Sequence, residues 1–508
     1  MTRFEFPHPG EGIDLIAGPY RVAERPVTSH DGRELLLRTY FHDDIAALAD
    51  AYLDATAAYL ALYEDWIGPY PYTGFSVVSS PTPTGFGMPT LTYLGIDVLR
   101  LPFIRDTSLG HEVLHNWWGN GVYPDYSQGN WAEGLTTFMA DYTYAQRRDA
   151  QAARAMRLAW LRELSGIPAG ADAPLAAFTA RHHGVSQAVG YGKAAMLFVM
   201  LRERIGTAAF DDGVRRFWRA QRFRVAGWDA LRTAFEAASG EELEAFFTQW
   251  LTRSGLPEVG LEAAVATPAG VHVTLSQAAP AYALDVPLEV DTGDRRERLV
   301  VRLESLRQDF ELRIDGAQRV RLDPEHLLLR RLGRGEAPPI LRELLFDRGT
   351  AVVTLGGPGL AAATDALLAR LFDHRPGRRP AGEPPASTPL LVIGADDEVA
   401  RWLARHRLPP PPTEAAGRGD VRMWTLRLPS GTALALIAAR DAAALERALR
   451  PLPHYGQQSW LVIDDGRAVA RGVWPARVPT LTLTNDRVSG GPRRARGAQT
   501  DADGAASR

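Results

Sequence analysis

The chain of 508 residues contains no cysteine. Disulfides and thiolate metal ligands are thereby excluded, and any zinc bound here must be held by histidine, aspartate or glutamate. Lysine is nearly as scarce, for apart from Lys193 every basic residue is arginine. A high-GC codon bias accounts for the arginines and singles out the one lysine left. The charge excess is small, 57 basic against 60 acidic residues, so there is no electrostatic case for nucleic acid or an anionic membrane as partner. No apolar run is read as long enough to span a bilayer, and residues 1–9 lack the apolar core of a signal peptide. These two absences predict a soluble, cytoplasmic protein.

What is present is ordinary globular material, 45% hydrophobic and 23% charged, enough for two to four domains. Residues 13–41 carry short alternating apolar segments (Leu15, Ile16, Tyr20, Val22, then Leu35, Leu37, Tyr40) that predict strands. An Ala/Leu/Tyr-rich stretch from Asp43 to about Trp66 has helical spacing and stops at Gly68-Pro69. Residues 75–78 read as a strand, followed by a Gly/Pro/Thr-rich segment at 81–89. Thr107 or Ser108 is the expected N-cap of a helix that stops at Gly119-Asn120-Gly121, and a second helix is expected over 131–147. Helical patterns dominate to residue 251. Short strands and turns then predict a small β-sandwich over 256–333. Residues 334–484 alternate strands and helices, predicting an α/β domain with a mainly parallel sheet. The polar, Gly/Arg-rich residues 485–508 predict a disordered tail. The fold class expected is multidomain α+β.

The most specific signal is His111-Glu112-Val113-Leu114-His115, followed by Glu133 in Trp131-Ala132-Glu133-Gly134. Two imidazoles four residues apart on a helix project from one face and can grip one metal ion. With 12 histidines in the chain, a chance His-Glu-x-x-His arises on the order of once in fifty or more such sequences. The plain alternative is a helix with two ordinary histidines; a capped amphipathic helix followed by a second one carrying Glu133 favours the metal. Zinc suits two imidazoles and a carboxylate, which leave an open position for water. Glu112 then stands beside that water as a proton acceptor rather than a ligand.

These residues, with Asn116-Trp117-Trp118-Gly119-Asn120 after them, resemble the signature of the gluzincin zinc aminopeptidases, the family of aminopeptidase N and the leukotriene hydrolase. Val189-Gly190-Tyr191-Gly192-Lys193-Ala194-Ala195 resembles that family's Tyr-Glu-Lys-Gly segment, and the resemblance extends over roughly residues 12–330. It implies a thermolysin-like catalytic unit over 1–255 and one zinc ion on His111, His115 and Glu133. It further implies Glu112 as general base, Tyr191 as the donor to the oxyanion, and Lys193 at the family's lysine position.

Three departures accompany it. Only 17 residues separate His115 from Glu133, one fewer than the family's spacing. The family's Gly-x-Met-Glu-Asn segment, whose glutamate binds the substrate's free amine, is shortened: Gly85-Phe86-Gly87-Met88 runs straight into Pro89-Thr90-Leu91. The family's N-terminal β domain is nearly absent, with residues 1–24 as its remnant. The expectation is a peptidase that discriminates weakly for free N-termini and lays its substrate along Gly85, Gly87 and Met88. The alternatives are a non-catalytic zinc- or peptide-binding protein and a hydrolase of a non-peptide substrate. Among further candidates, Thr137 and Lys193 are expected to support the ligands from behind, Asp141 to be a surface or capping group, and Gly356-Gly357-Pro358-Gly359 to be a turn rather than a phosphate loop.

Overall fold

The computed structural model describes residues 6–483 apart from 11, 13, 183, 386 and 387; the tail expected from residue 485, and residues 1–5 of the N-terminal remnant, lie outside them. The architecture is multidomain α+β, with five sheets and a large helical region among the described residues.

The chain opens with a five-stranded sheet: β1 (Arg21–Thr28), β2 (Glu34–Phe41), β3 (Gly74–Ser80), β4 (Gly85–Met88) and β5 (Leu91–Gly95), in the order β1-β2-β3-β5-β4. In β2 the alternation is strict, with Leu35, Leu37, Thr39 and Phe41 buried, as period-two patterning requires. β2 and β3 are parallel and so need a crossover. The helix α1 (Ala49–Trp66) supplies it, entered through a 3₁₀ turn at Asp43–Leu48. β4 closes the sheet as an antiparallel edge strand on β5. Leu15 and Ile16 lie outside any strand, and Leu15 is 92% exposed.

The segment Asp43–Trp66 qualifies the reading of apolar runs, for by length and composition alone it is as long and apolar as a membrane-crossing helix. Here its apolar face serves the core. Tyr52, Leu53, Leu60 and Tyr63 are buried, and the hydroxyls of Tyr52 and Tyr63 donate to the carbonyls of Leu99 (2.8 Å) and Gly110 (2.9 Å). The buried Glu64 carboxylate accepts from the backbone of His30 (3.1 Å) and Tyr70 (2.7 Å) and from the Ser29 hydroxyl. α1 is thus tied along its length to the sheet and to the segment bearing the histidines.

Beyond it, helices fill residues 108–252, around a core that includes the fully buried Trp117, Trp118, Trp131 and Trp228. The helix over 131–147 is not uniform: Ala132–Thr137 and Thr143–Arg148 are α-helical and flank a π turn at Phe138–Tyr142. A second π turn, Ala188–Lys193, precedes the helix Ala194–Ile205.

Two sheets of four and three strands form the sandwich. Its four-stranded sheet contains Thr480–Thr482, which pairs antiparallel with Arg319–Leu322. These residues were assigned by sequence to the α/β unit; three residues carry too little pattern to show where they pair, and the strand returns across nearly the whole unit. The α/β sheet is also mixed rather than mainly parallel. Ala351–Leu355, Leu390–Ala395 and Ala433–Ala439 run parallel, but Val421–Arg427 pairs antiparallel with Ala433–Ala439 and with Trp460–Asp464. Val421–Arg427 and Ala433–Ala439 are joined by a short turn, which permits only the antiparallel arrangement.

Candidate metal centre

The helix Ser108–Leu114 presents Leu109, Val113 and Leu114 to the core, all fully buried. That seating turns His111, Glu112 and His115 toward the cleft, with the two imidazole centroids 4.8 Å apart. Thr107 occupies the N-cap position but makes no capping bond. Its hydroxyl donates instead to the Phe103 carbonyl at 2.7 Å, because the chain enters through the 3₁₀ turn Pro102–Ile104 and leaves that carbonyl within reach.

His111 Nε2 and His115 Nε2 lie 3.6 and 3.4 Å from Glu133 Oε2, and one ligand atom from each residue falls within 4.8 Å of the others. Glu133 Oε2 is buried without a hydrogen-bond partner among the described residues. Two ligands at about 2.05 Å on a tetrahedral zinc stand about 3.3 Å apart. The donor set therefore fits a zinc ion: its spacing is right, its atoms are of the right type, and a buried carboxylate oxygen is unpaired.

Each imidazole is held from behind. Asp141 Oδ2 stands 2.8 Å from His111 Nδ1, and the carbonyl of Trp118 stands 2.9 Å from His115 Nδ1. With Nδ1–H donating to these oxygens, both Nε2 atoms are left to face Glu133. Burial works against the charged form of His111, and the Asp141 carboxylate more than offsets it, raising the pKa well above the ordinary value. Burial likewise opposes the His115 imidazolium, and Glu133 outweighs it. Glu133 is itself held low, burial being overcome by the two histidines.

Asp141 was expected at the surface; it is instead the partner of His111. In an uninterrupted α-helix a residue eight positions after Glu133 sits about 80° round the axis. The π turn Phe138–Tyr142 absorbs an extra residue, so Asp141 falls near the place a seventh residue would take, about 20° from Glu133. Nothing in the spacing announces a π turn. Thr137 does not take the supporting role expected of it: its hydroxyl oxygen is buried with no hydrogen-bond partner among the described residues. Lys193 does not support the ligands either. It is 1% exposed, donates to the Arg253 carbonyl at 3.2 Å and lies 3.9 Å from Asp172 Oδ2. Residues two apart on a helical turn do not share a face, so Lys193 points away from the cleft that Tyr191 lines.

The Tyr191 ring stacks on His111 with centroids 6.4 Å apart and an 11° tilt. Burial, and next the charge of Glu133, push its phenol far above the usual tyrosine range. Gly134 makes this approach possible, since a Cβ there would collide with Ala194 at the start of the following helix. On the opposite wall, a Cβ on Gly87 would lie 2.6 Å from Glu112 Oε2 and 4.0 Å from His115 Cδ2. Gly87 therefore lets the edge strand run directly beside Glu112, while Gly85 and Met88 flank it on β4 opposite Leu94 and Leu91. Asn116 links helix and strand: its Oδ1 accepts from Thr90 N at 2.8 Å, and its Nδ2 donates to the Val113 carbonyl at 3.1 Å. Neither Asn116 nor the Trp118 carbonyl was singled out from the sequence, although both lie in the Asn116–Asn120 run.

Residues 106–250 match the Peptidase family M1 domain. Aminopeptidase N of Caulobacter vibrioides is 26% identical over 287 residues, covering 52% of this chain and 32% of its own length. Aminopeptidase N of Escherichia coli is 24% identical over 325 residues, covering 58% and 37%. The chain thus spans about a third of the length of these curated relatives. Among solved structures, Legionella pneumophila aminopeptidase A in complex with aspartic acid superposes with a TM-score of 0.51 at 16% identity, over 70% of this chain and 42% of the other. These matches bear out the resemblance carried by residues 111–115 and Glu133-Gly134.

Proposed function

Taking the Peptidase family M1 match over residues 106–250 as premise, we propose that this chain is a zinc-dependent peptidase with a thermolysin-like catalytic unit. The observation that carries the proposal is the convergence of His111 Nε2, His115 Nε2 and the unpaired Glu133 Oε2, with Glu112 beside them and Tyr191 stacked on His111. Zinc held by those three residues would supply Lewis-acid polarisation and a water of lowered pKa. Glu112 takes the water's proton and passes it to the leaving amine. Tyr191, whose raised pKa keeps its phenol protonated, donates to the oxyanion that develops on the scissile carbonyl. β4, the sheet's edge, pairs with the peptide backbone and aligns it past Glu112.

The substrate's free amine is the point of departure. Met88 and Pro89 are contiguous, so the strand turns back without the glutamate that the family resemblance leads one to expect there. A site lacking that buried anion accepts N-blocked and free peptides with similar efficiency.

Two measurements test this. Glu112→Gln should keep its zinc and lose about 10²–10⁴-fold in turnover, and N-acetylated peptides should be cleaved within about tenfold of their free counterparts. Full zinc occupancy in the parent with no cleavage of a mixed peptide library would identify a binding protein instead. Cleavage confined to free N-termini would restore a strict aminopeptidase.

A further inference from the structure

A second cluster of charge lies where the helix Ala150–Ser165, residues 331–337 and the α/β unit meet. A cavity of about 120 Å³ there is lined by Arg162, Arg331, Arg334 and Arg427, with Glu343 as its one carboxylate. It is about ten times the ~10–15 Å³ that a single water needs.

The charges in this cavity do not balance. Arg427 is spent on Glu343, fork to fork at 2.8 Å on both oxygens. Arg331 donates to the Ser165 carbonyl at 2.8 Å and lies 3.7 Å from Glu258. Among the described residues Arg162 and Arg334 have no carboxylate partner. Arg162 is only 7% exposed, and its Nε is buried with no hydrogen-bond partner among the described residues. The neighbouring Glu163 is taken by Arg342 and by Gln457. The Arg334 guanidinium lies against Gly431, whose carbonyl accepts from Arg427 at 3.0 Å, so two guanidinium groups meet at that glycine.

An unpaired buried charge is costly, and a buried lysine or carboxyl escapes the cost by neutralising itself. Arginine has no such escape. Burial pushes Arg162 down to about 10, which still leaves it charged at neutral pH. Planar guanidinium forks match the paired oxygens of a tetrahedral oxyanion. We propose that this cavity binds one inorganic oxyanion of phosphate size, held by Arg162 and Arg334, that clamps the α/β unit to the catalytic half. The ion supplies the negative charge that the fold leaves out at this junction, and Arg427, already neutralised by Glu343, completes the wall.

The test is calorimetric titration of the full chain with inorganic phosphate at constant ionic strength, with sulfate and chloride as comparisons. One phosphate per chain is expected, sulfate should compete, and chloride should not. Loss of a charge-assisted hydrogen bond is worth about tenfold or more in affinity, so Arg162→Met and Arg334→Gln should each weaken phosphate binding by at least that factor. Without phosphate, Arg162→Met should melt no lower than the parent, since it removes an unpaired charge. Phosphate affinity equal to the parent's in Arg334→Gln overturns the proposal, and would also be the result if phosphate sat on the metal centre. A phosphate-free melting point for Arg162→Met well below the parent's would assign that arginine a merely structural role and overturn it too. If Arg162→Met does not fold, Arg334→Gln alone decides, because its side chain is exposed.

Discussion

At the metal centre, Asp141 and the carbonyl of Trp118 set which nitrogen of each imidazole faces Glu133. Removing the charge of Asp141 while keeping its shape should therefore weaken zinc more than it disturbs the fold. Asp141→Asn is expected to lower zinc affinity about 10–100-fold, read by competition against a chromogenic chelator, with little change in melting temperature. A second residue-scale consequence lies at His326, which is fully buried with neither ring nitrogen partnered among the described residues. Burial, helped by the surrounding arginines, pushes it down to about 3. The unfolded chain takes up this proton near pH 6.5 and the folded one only near 3. The contribution to stability is therefore complete above about pH 6.5 and is lost as the pH falls from there toward 3. Between pH 7 and pH 5 this one group accounts for about 2 kcal/mol. His326→Asn, whose side chain tolerates the positive φ at that position, should lose that much less than the parent in urea unfolding at the two pH values. Asp323, pushed up to about 6 by burial, titrates in the opposite sense in both proteins, so the difference between them is the quantity to read.

Among the elements, β4 and the helix Ser108–Leu114 form the working pair, and they touch at Gly87. A methyl group there would lie 2.6 Å from Glu112 Oε2, and the carboxylate must move to admit it. Gly87→Ala should cost on the order of 10²-fold in turnover, the scale of a misplacement of about 1 Å, with zinc content unchanged by metal analysis. A turnover equal to the parent's would mean that Glu112 does not act from this position. The legibility of the site in the sequence divides along the same lines. His111, Glu112 and His115 could be placed relative to one another because a single helical turn relates them. Asp141 could not, because its place depends on a π turn that no spacing rule signals. Lys193 shows the reverse case: its rarity drew attention, yet its ammonium serves the Arg253 carbonyl and Asp172.

For the whole molecule, the return of Thr480–Thr482 to the sandwich makes the α/β unit an insertion held at both ends. Leu483 is buried in the same core as the sandwich residues Val320 and Leu322. A chain truncated after Val478 should lose on the order of 2–3 kcal/mol from that burial alone, seen as a lower melting temperature of the sandwich. An unchanged melting curve would show that the pairing adds nothing to stability. The helical stretches before residue 252 and the strand-rich stretch that follows were legible because their patterns are local. The mixed α/β sheet and the closing strand were not, since which strands pair is settled by partners far away in the chain.

By itself the sequence located the candidate site: the absence of cysteine limits a metal to His and carboxylate ligands, and two histidines one helical turn apart, with Glu112 between them and Glu133 beyond, mark where one could be held. Only the tertiary structure decided what stands behind those ligands, where the lone lysine points, and that arginines from three chain segments line one small cavity. The reason is physical. Ligand spacing is a property of one helix, whereas a buried hydrogen bond or an unbalanced charge exists only after distant segments have packed together.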